Sequence, residues 1–225
     1  MKKGVSIIAI IFSLLLSLCL FSCESNREYD EGEVISAAEA LIKKSILMNE
    51  IFYGDGIPYV KNESLASGYY YPADEIYLEN AGFSTVEQLE ATLREVYSTA
   101  LSDIIIETKL NPVSDDEGIK SFARYYQKYS SIEEDATPEC IMVYSLSDVL
   151  LDSDVEYDYS SITVLGSKGE SVKVQMMATV TNSEGDSQKR AITVSLIEEE
   201  NGWRLDTPSY LRYMNMDYYE DIQSK

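Results

Sequence analysis

The feature that most constrains the fold is a period-two alternation of apolar and polar residues within residues 157–207. The alternation is clearest over residues 172–180, and shorter versions of it occur over 162–164 and 192–196. Turn-forming residues separate these segments, and the pair Asn201-Gly202 is typical of a type I′ hairpin. Since successive side chains of a strand point to opposite faces, the pattern predicts a four-stranded antiparallel meander with one apolar face.

The residues before this region predict the layer that covers the apolar face. Apolar residues at helical spacing predict a helix over residues 34–52. A second helix is predicted from Ser84, which has capping-box spacing to Glu87, with one apolar face continuing to Ile105. Residues 57–82 are predicted to be irregular. Residues 140–145 are predicted to be a strand, and 119–129 are open between a short helix and a strand, with strand favoured.

These elements together predict the fold class. An apolar sheet face must be buried against another layer of structure. The order of helices first and strands afterwards therefore predicts an α+β fold, with N-terminal helices packed on a curved, cone-like antiparallel sheet. We expect residues 34–225 to form a single domain.

The N-terminus has the pattern of a secretory signal peptide. Lys2 and Lys3 precede an apolar run over residues 5–21, which serines interrupt and which is too short for a span of roughly 20 apolar residues. Leu20, near the end of this run, is followed by Ser22 and Cys23. This order resembles the bacterial lipobox. The resemblance implies removal of residues 1–22, a diacylglycerol on the Cys23 sulfur, and an acyl chain such as palmitate on the new N-terminus. The alternative is an uncleaved N-terminal anchor with an incidental cysteine.

Lipidation at Cys23 predicts an extracytoplasmic protein anchored to the cell membrane. Residues 23–33 are polar and lack apolar periodicity, so we expect them to be a tether. Ten residues reach at most about 36 Å when fully extended. The partner is therefore expected within the envelope, as an envelope protein, a glycan or a peptide.

Charge and composition exclude several classes of function. Loss of Lys2 and Lys3 changes the net charge from −21 to −23, which is unsuited to binding nucleic acid. The chain has no histidine, so the common zinc ligand and imidazole-dependent catalysis are missing. Residues 152–158 begin like a calcium loop, but Tyr157 replaces its turn glycine. Cys140, the one cysteine outside residues 1–23, is expected to be a small packed residue. We predict no metal and no cofactor.

The order of elements resembles the nuclear-transport-factor-2-like (SnoaL-like or cystatin-like) superfamily. Residues 201–206, Asn-Gly-Trp-Arg-Leu-Asp, resemble the closing hairpin of such domains. Residues 83–89, continuing to Val96-Tyr97-Ser98, resemble a segment of Gram-positive surface lipoproteins, some of which are named after the inhibitor family of cell-wall DL-endopeptidases. The first resemblance implies helices on the concave side of a bent sheet. The superfamily includes isomerases, dehydratases and non-enzymatic binders, so it implies no single activity.

Tyrosine supplies the candidate site residues. The chain has 18 Tyr against 5 Phe, and a tyrosine offers both a stacking face and a hydroxyl for glycan or peptide recognition. The alternative is that these tyrosines fill the core and its edge. Arg124 is expected to clamp a carboxylate, unless it forms a surface ion pair. The candidate ligand-binding residues are Tyr71, Arg124, Tyr125, Tyr126 and Trp203.

Two functions of different class are consistent with the sequence. The first is a non-enzymatic binding or interaction module, with a cell-wall enzyme among its possible partners. The alternative is a carboxylate/tyrosine isomerase or lyase in the same fold, which requires a buried acid of raised pKa beside a tyrosine. A structural spacer without a pocket is a third, plainer reading. No catalytic residue can be singled out.

Overall fold

A computed structural model describes residues 29–61, 69–111, 122–131, 136–147, 151 and 154–210. Helices and strands follow one another in a mixed order along the chain. They are α1 (Glu31–Tyr53), β1 (Tyr70–Pro72), α2 (Glu75–Ala81), α3 (Val86–Val96), α4 (Thr99–Lys109), β2 (Tyr125–Tyr129), β3 (Pro138–Tyr144), β4 (Asp154–Lys168), β5 (Ser171–Thr181), β6 (Ser187–Glu199) and β7 (Gly202–Leu205).

The strands form two antiparallel sheets, which confirms the α+β class. One sheet has the order β4-β5-β6-β7, the predicted four-stranded meander. The other has the order β1-β3-β2, a separation that the sequence analysis did not foresee. Strand β2 confirms the preference for a strand within residues 119–129, of which 119–121 lie outside the described residues.

Helix α1 covers the apolar face of the meander. The alternating residues Val172, Val174, Met176 and Ala178 are all buried, as are Val34, Ala38 and Ile42 on α1. Except for Ala178, they belong to one hydrophobic core, which also includes Leu205 on β7. Burial of these side chains stabilises the fold by roughly 1.5–3 kcal/mol each for the larger ones.

The start of α1 corrects the predicted tether over residues 23–33. Asp30 is the N-cap and accepts a hydrogen bond from the Glu33 amide at 2.8 Å, which satisfies one of the free amides of the first turn. The Tyr29 hydroxyl donates to the Gly169 carbonyl at 3.1 Å, and its ring lies 5.2 Å from that of Trp203. Residues 29–33 therefore belong to the folded domain.

The predicted single helix from Ser84 to Ile105 is wrong. Helix α3 ends at Val96, because Tyr97 adopts an extended conformation and forms a parallel bridge with Leu205 on β7. Ser98 then caps α4, and the Thr99 amide donates to the Glu199 carboxylate at 2.8 Å. The N-cap of α3 is Thr85 and not Ser84. Pairing with β7 and two polar caps outweigh continuation of the apolar pattern.

Two smaller expectations are also corrected. Helix α2 lies within the segment predicted to be irregular, and Asp74 caps it. The hairpin between β6 and β7 is confirmed, but its turn type is not I′. Glu199 pairs with Gly202, so the two central residues are Glu200 and Asn201. A type I′ turn needs a positive φ at both, and no non-glycine residue in the described ranges has one.

Candidate functional site

A cleft lies between the C-terminal half of α1 and the start of β4, and we call it the α1–β4 cleft. Its volume is about 590 Å³. Helix α1, strand β4, the β5–β6 turn and the segment after β7 all contribute to its lining. The lining residues are Ile46, Asn49, Glu50, Asp55, Leu151, Asp154, Val155, Tyr157, Thr181, Asn182, Ser183 and Tyr210.

A buried hydrogen-bond network lies against this cleft. The Tyr97 hydroxyl donates to Asn49 Oδ1 at 2.6 Å, and Asn49 Nδ2 donates to the Ser209 hydroxyl at 3.0 Å. Ser45 and Ser209 share a hydrogen bond of 2.5 Å. The Tyr157 hydroxyl donates to the Ser209 carbonyl at 3.0 Å. The network therefore fixes the segment after β7 against α1 and places Tyr210 in the lining.

Burial raises the pKa of three tyrosine hydroxyls in this region, which are protonated at neutral pH even without a shift. Desolvation raises the pKa of Tyr157 to about 12, with a smaller contribution from Tyr159. Desolvation also raises the pKa of Tyr53 to about 12, and Tyr210, whose ring lies 4.7 Å away, adds to that effect. The pKa of Tyr97 is raised by the same cause. These hydroxyls therefore serve as hydrogen-bond donors rather than as bases.

The charged residues of the cleft all have one sign. Glu50, Asp55 and Asp154 are exposed, and Glu50 Oε1 accepts a hydrogen bond from the Asp55 amide at 2.8 Å. No lysine or arginine occurs among the lining residues that the structure describes. The local field therefore disfavours anionic ligands and favours neutral or cationic ones.

Arg124 and Tyr125 have a structural role at the end of helix α1, and the burial of Tyr125 agrees with the alternative that the tyrosines fill the core. Arg124 is only 4% exposed, and its guanidinium donates to the carbonyls of Phe52 at 2.9 Å and Gly54 at 2.5 Å. The Tyr125 hydroxyl donates to the Ile51 carbonyl at 2.6 Å. These carbonyls end helix α1, which has no basic residue in its last turn. Arg124 therefore neither clamps a carboxylate nor forms a surface ion pair here.

The remaining candidate residues do not form one site with each other. Tyr71 stacks on Tyr59 with ring centroids 5.1 Å apart, whereas Tyr126 packs edge-on against Tyr70 at 4.8 Å. Register puts Tyr71 beside Val143 and Tyr126 beside Met142, and neighbouring residues of a strand face opposite sides of the sheet.

Trp203 lies apart from both tyrosines and does not line the cleft. Trp203 is at the N-terminal end of α1, where its Nε1 donates to Glu33 at 3.3 Å. Cys23, the predicted lipidation site, lies outside the described residues.

The residues that build the α1–β4 cleft were not among the predicted site residues. One signal was present, because Ser45 and Asn49 interrupt the buried face of α1 four residues apart. Polar side chains on an apolar helix face need buried partners. The identity of those partners, Tyr97 and Ser209, depends on contacts between residues at least 48 positions apart in the sequence.

The described residues offer no support for the enzymatic alternative. That alternative requires a buried carboxylate beside a tyrosine, yet every aspartate and glutamate in the described ranges is at least partly exposed. Within the same ranges, no group of three or more His, Cys, Asp or Glu residues is arranged to hold a metal ion.

Comparison with known proteins adds no relative. No protein family model matches the chain, and no match was found among the curated proteins or the solved structures. The resemblance to the nuclear-transport-factor-2-like superfamily therefore stays a prediction. Among the helices that the structure describes, none is long and apolar enough to cross a membrane.

Proposed function

We propose that this protein is a lipid-anchored, non-enzymatic binding module at the extracytoplasmic face of the cell membrane, and that its ligand occupies the α1–β4 cleft. The observation that carries the proposal is the cleft itself. Its volume of about 590 Å³ is within the range of ligand sites, about 300–1,000 Å³. Five of its twelve lining residues are aliphatic or tyrosine and seven are polar or acidic. The cleft is therefore more polar than the mostly apolar sites typical of small ligands, and it suits a polar ligand.

The chemistry of the cleft narrows the class of ligand. Tyr157 and Tyr210 contribute aromatic rings to the lining, and aromatic rings attract cations as well as apolar groups. The lining residues that the structure describes include three acids and no lysine or arginine, which disfavours phosphate or carboxylate ligands. A neutral glycan, a peptide or a segment of an envelope protein is consistent with this lining.

The position of the cleft in the fold also agrees with anchoring at Cys23. Only residues 24–28 separate Cys23 from Tyr29, so six residue steps span at most about 22 Å. Tyr29 is fixed at the N-terminal end of α1, whereas the cleft lies near Asn49 and Glu50. About 20 helical residues between them correspond to roughly 30 Å. The cleft therefore lies farther from Tyr29 than the segment between Cys23 and Tyr29 can reach.

The first experiment tests the anchor. We expect Cys23→Ser to remain a full-length precursor that is no longer acylated and no longer labelled by a palmitate analogue. A Ser22→Thr variant, which leaves the cysteine in place, is the control. Wild-type protein with an unmodified Cys23, by intact mass, would contradict lipidation.

The second experiment tests the cleft. Ile46 lines it and is 46% exposed, whereas Ile104 on α4 is 58% exposed and lies outside it. We expect Ile46→Lys to abolish retention of an envelope component by the immobilised protein, and Ile104→Lys to leave it unchanged. Equal retention by both variants would show that the cleft is not the binding site.

A further inference from the structure

The side of the α1–β4 cleft formed by β4 is an edge of the four-stranded sheet. Residues 154–158 pair in regular register with β5, from Asp154 opposite Thr181 to Asp158 opposite Met177. Among the described residues, β5 is the only strand that pairs with β4. In an antiparallel pair, alternate residues direct their amide and carbonyl groups away from the partner strand. Residues 154–158 therefore present backbone groups suited to one more strand.

A second cleft lies farther along this edge, at residues 156–160. Its volume is about 840 Å³, and it shares Tyr157 with the α1–β4 cleft. Val155 and Tyr157 are partly buried, whereas Glu156 and Asp158 are exposed. The remaining residues that line the second cleft come from β4, β5 and β6. They are Tyr159, Ser160, Met177, Ala178, Thr179 and Lys189.

This arrangement fits the recognition of an extended peptide by strand addition. In that mode the main chain supplies hydrogen bonds along a sheet edge, and pockets accept alternate side chains. Residues 154–158 supply the edge, and the two clefts, which share Tyr157, supply two pockets along it. Beyond Asp158 the register with β5 shifts, so the regular edge ends there.

Charge indicates which peptide would fit. Asp154, Glu156 and Asp158 are exposed along the edge, and Glu50 and Asp55 add two further carboxylates in the α1–β4 cleft. Lys189 is the one basic residue among the described residues that line either cleft. An extended segment with lysine or arginine side chains therefore complements this surface.

We propose that residues 154–158 of β4 bind an extended basic segment of a protein partner as an added antiparallel or parallel strand, with its side chains in the two clefts. The inference rests on the proposed function, since it names the ligand class of the same cleft. Acidic residues and a bulge also serve to protect edge strands against pairing. The experiment separates these two roles.

The experiment measures binding of labelled peptides to the full-length chain in zwitterionic detergent by fluorescence polarisation. The probe is an acetylated, amidated seven-residue peptide of alternating lysine and valine. One control peptide carries N-methyl groups at alternate residues, which block strand pairing but keep the charge. A second control replaces every lysine with glutamate. Hydrogen exchange of residues 154–158 is measured with and without the probe.

We expect the probe to bind and to slow exchange over residues 154–158. We expect the N-methylated peptide and the glutamate peptide to bind at least about tenfold more weakly, a difference of about 1.4 kcal/mol. The double variant Glu156→Lys/Asp158→Lys should weaken binding of the probe by a similar factor. Glu170→Lys, in the turn at the other end of β4, is the matched control and should change binding less than about twofold.

Several results would overturn the inference. Equal binding of the N-methylated peptide would show a purely electrostatic contact. Absence of probe binding would show that the edge acids only protect the strand. If the probe fails while Ile46→Lys still abolishes retention of an envelope component, the inference falls and the proposed function stands. If Ile46→Lys also has no effect, both fall.

Discussion

Removal of the Arg124 guanidinium should destabilise the protein more than removal of any surface arginine. Arg124→Met keeps most of the side-chain volume, so the change mainly removes two hydrogen bonds to the carbonyls of Phe52 and Gly54. Both residues are buried, so their carbonyls would lose partners without gaining water. Each buried acceptor left unsatisfied costs about 1–3 kcal/mol, and we expect a total loss of about 3–5 kcal/mol.

The assay is urea unfolding of the full-length chain, followed by circular dichroism. Arg94 provides the matched control, since its side chain is 42% exposed and pairs with Asp103 at 2.6 Å. An exposed ion pair contributes about 0–1 kcal/mol, so Arg94→Met should have a small effect. Arg124→Lys retains the charge but replaces the planar guanidinium, which reaches both carbonyls, with a single ammonium group. We therefore expect an intermediate loss in the free energy of unfolding. Equal losses for Arg124→Met and Arg94→Met would refute the capping role.

Three further predictions concern the same interior. Gly56→Ala should destabilise the fold, because Gly56 has φ +85° and an added Cβ would lie 2.5 Å from both Arg124 Nη2 and the Tyr125 hydroxyl. Thermal unfolding measures the loss of stability, and an unchanged midpoint would contradict this close packing. Ser209→Ala should cost about 1–3 kcal/mol, because Asn49 loses a buried partner; urea unfolding that matches the wild type would contradict the network. Burial raises the pKa of Tyr125 to about 12, so its neutral form is favoured in the folded state. Its contribution to stability is therefore full below pH 10 and is lost as the pH rises from 10 to 12, by on the order of 2–3 kcal/mol. Urea unfolding at pH 8 and pH 11 tests this. The Tyr125→Phe variant should lose less free energy of unfolding than the wild type between these two pH values.

The elements that were predicted correctly are those whose formation depends on residues close together in the sequence. The alternation over residues 172–180 reflects burial of one face of β5 and was confirmed. The helix over residues 34–52 was confirmed as α1, because its apolar stripe packs on that same face. Glycine and asparagine located the β6–β7 hairpin, although they did not fix its turn type.

Contacts between distant residues controlled what the sequence did not predict. The break between α3 and α4 depends on the bridge from Tyr97 to Leu205, 108 positions away. Arg124 next to two tyrosines suggested a ligand clamp, but the end of α1 at Gly54 takes up its donors. The α1–β4 cleft combines α1, β4 and residues after β7. No local pattern brings such segments together.

The central claim, ligand binding in the α1–β4 cleft at the membrane, is tested most directly by photo-cross-linking in the source cells. A photoreactive phenylalanine analogue is placed at Ile46 in the cleft or at Ile104 outside it, in the lipidated full-length chain. The account predicts a discrete adduct at Ile46 that Asp154→Lys abolishes, and no such adduct at Ile104. The same adduct at both positions, or none at Ile46, would contradict it.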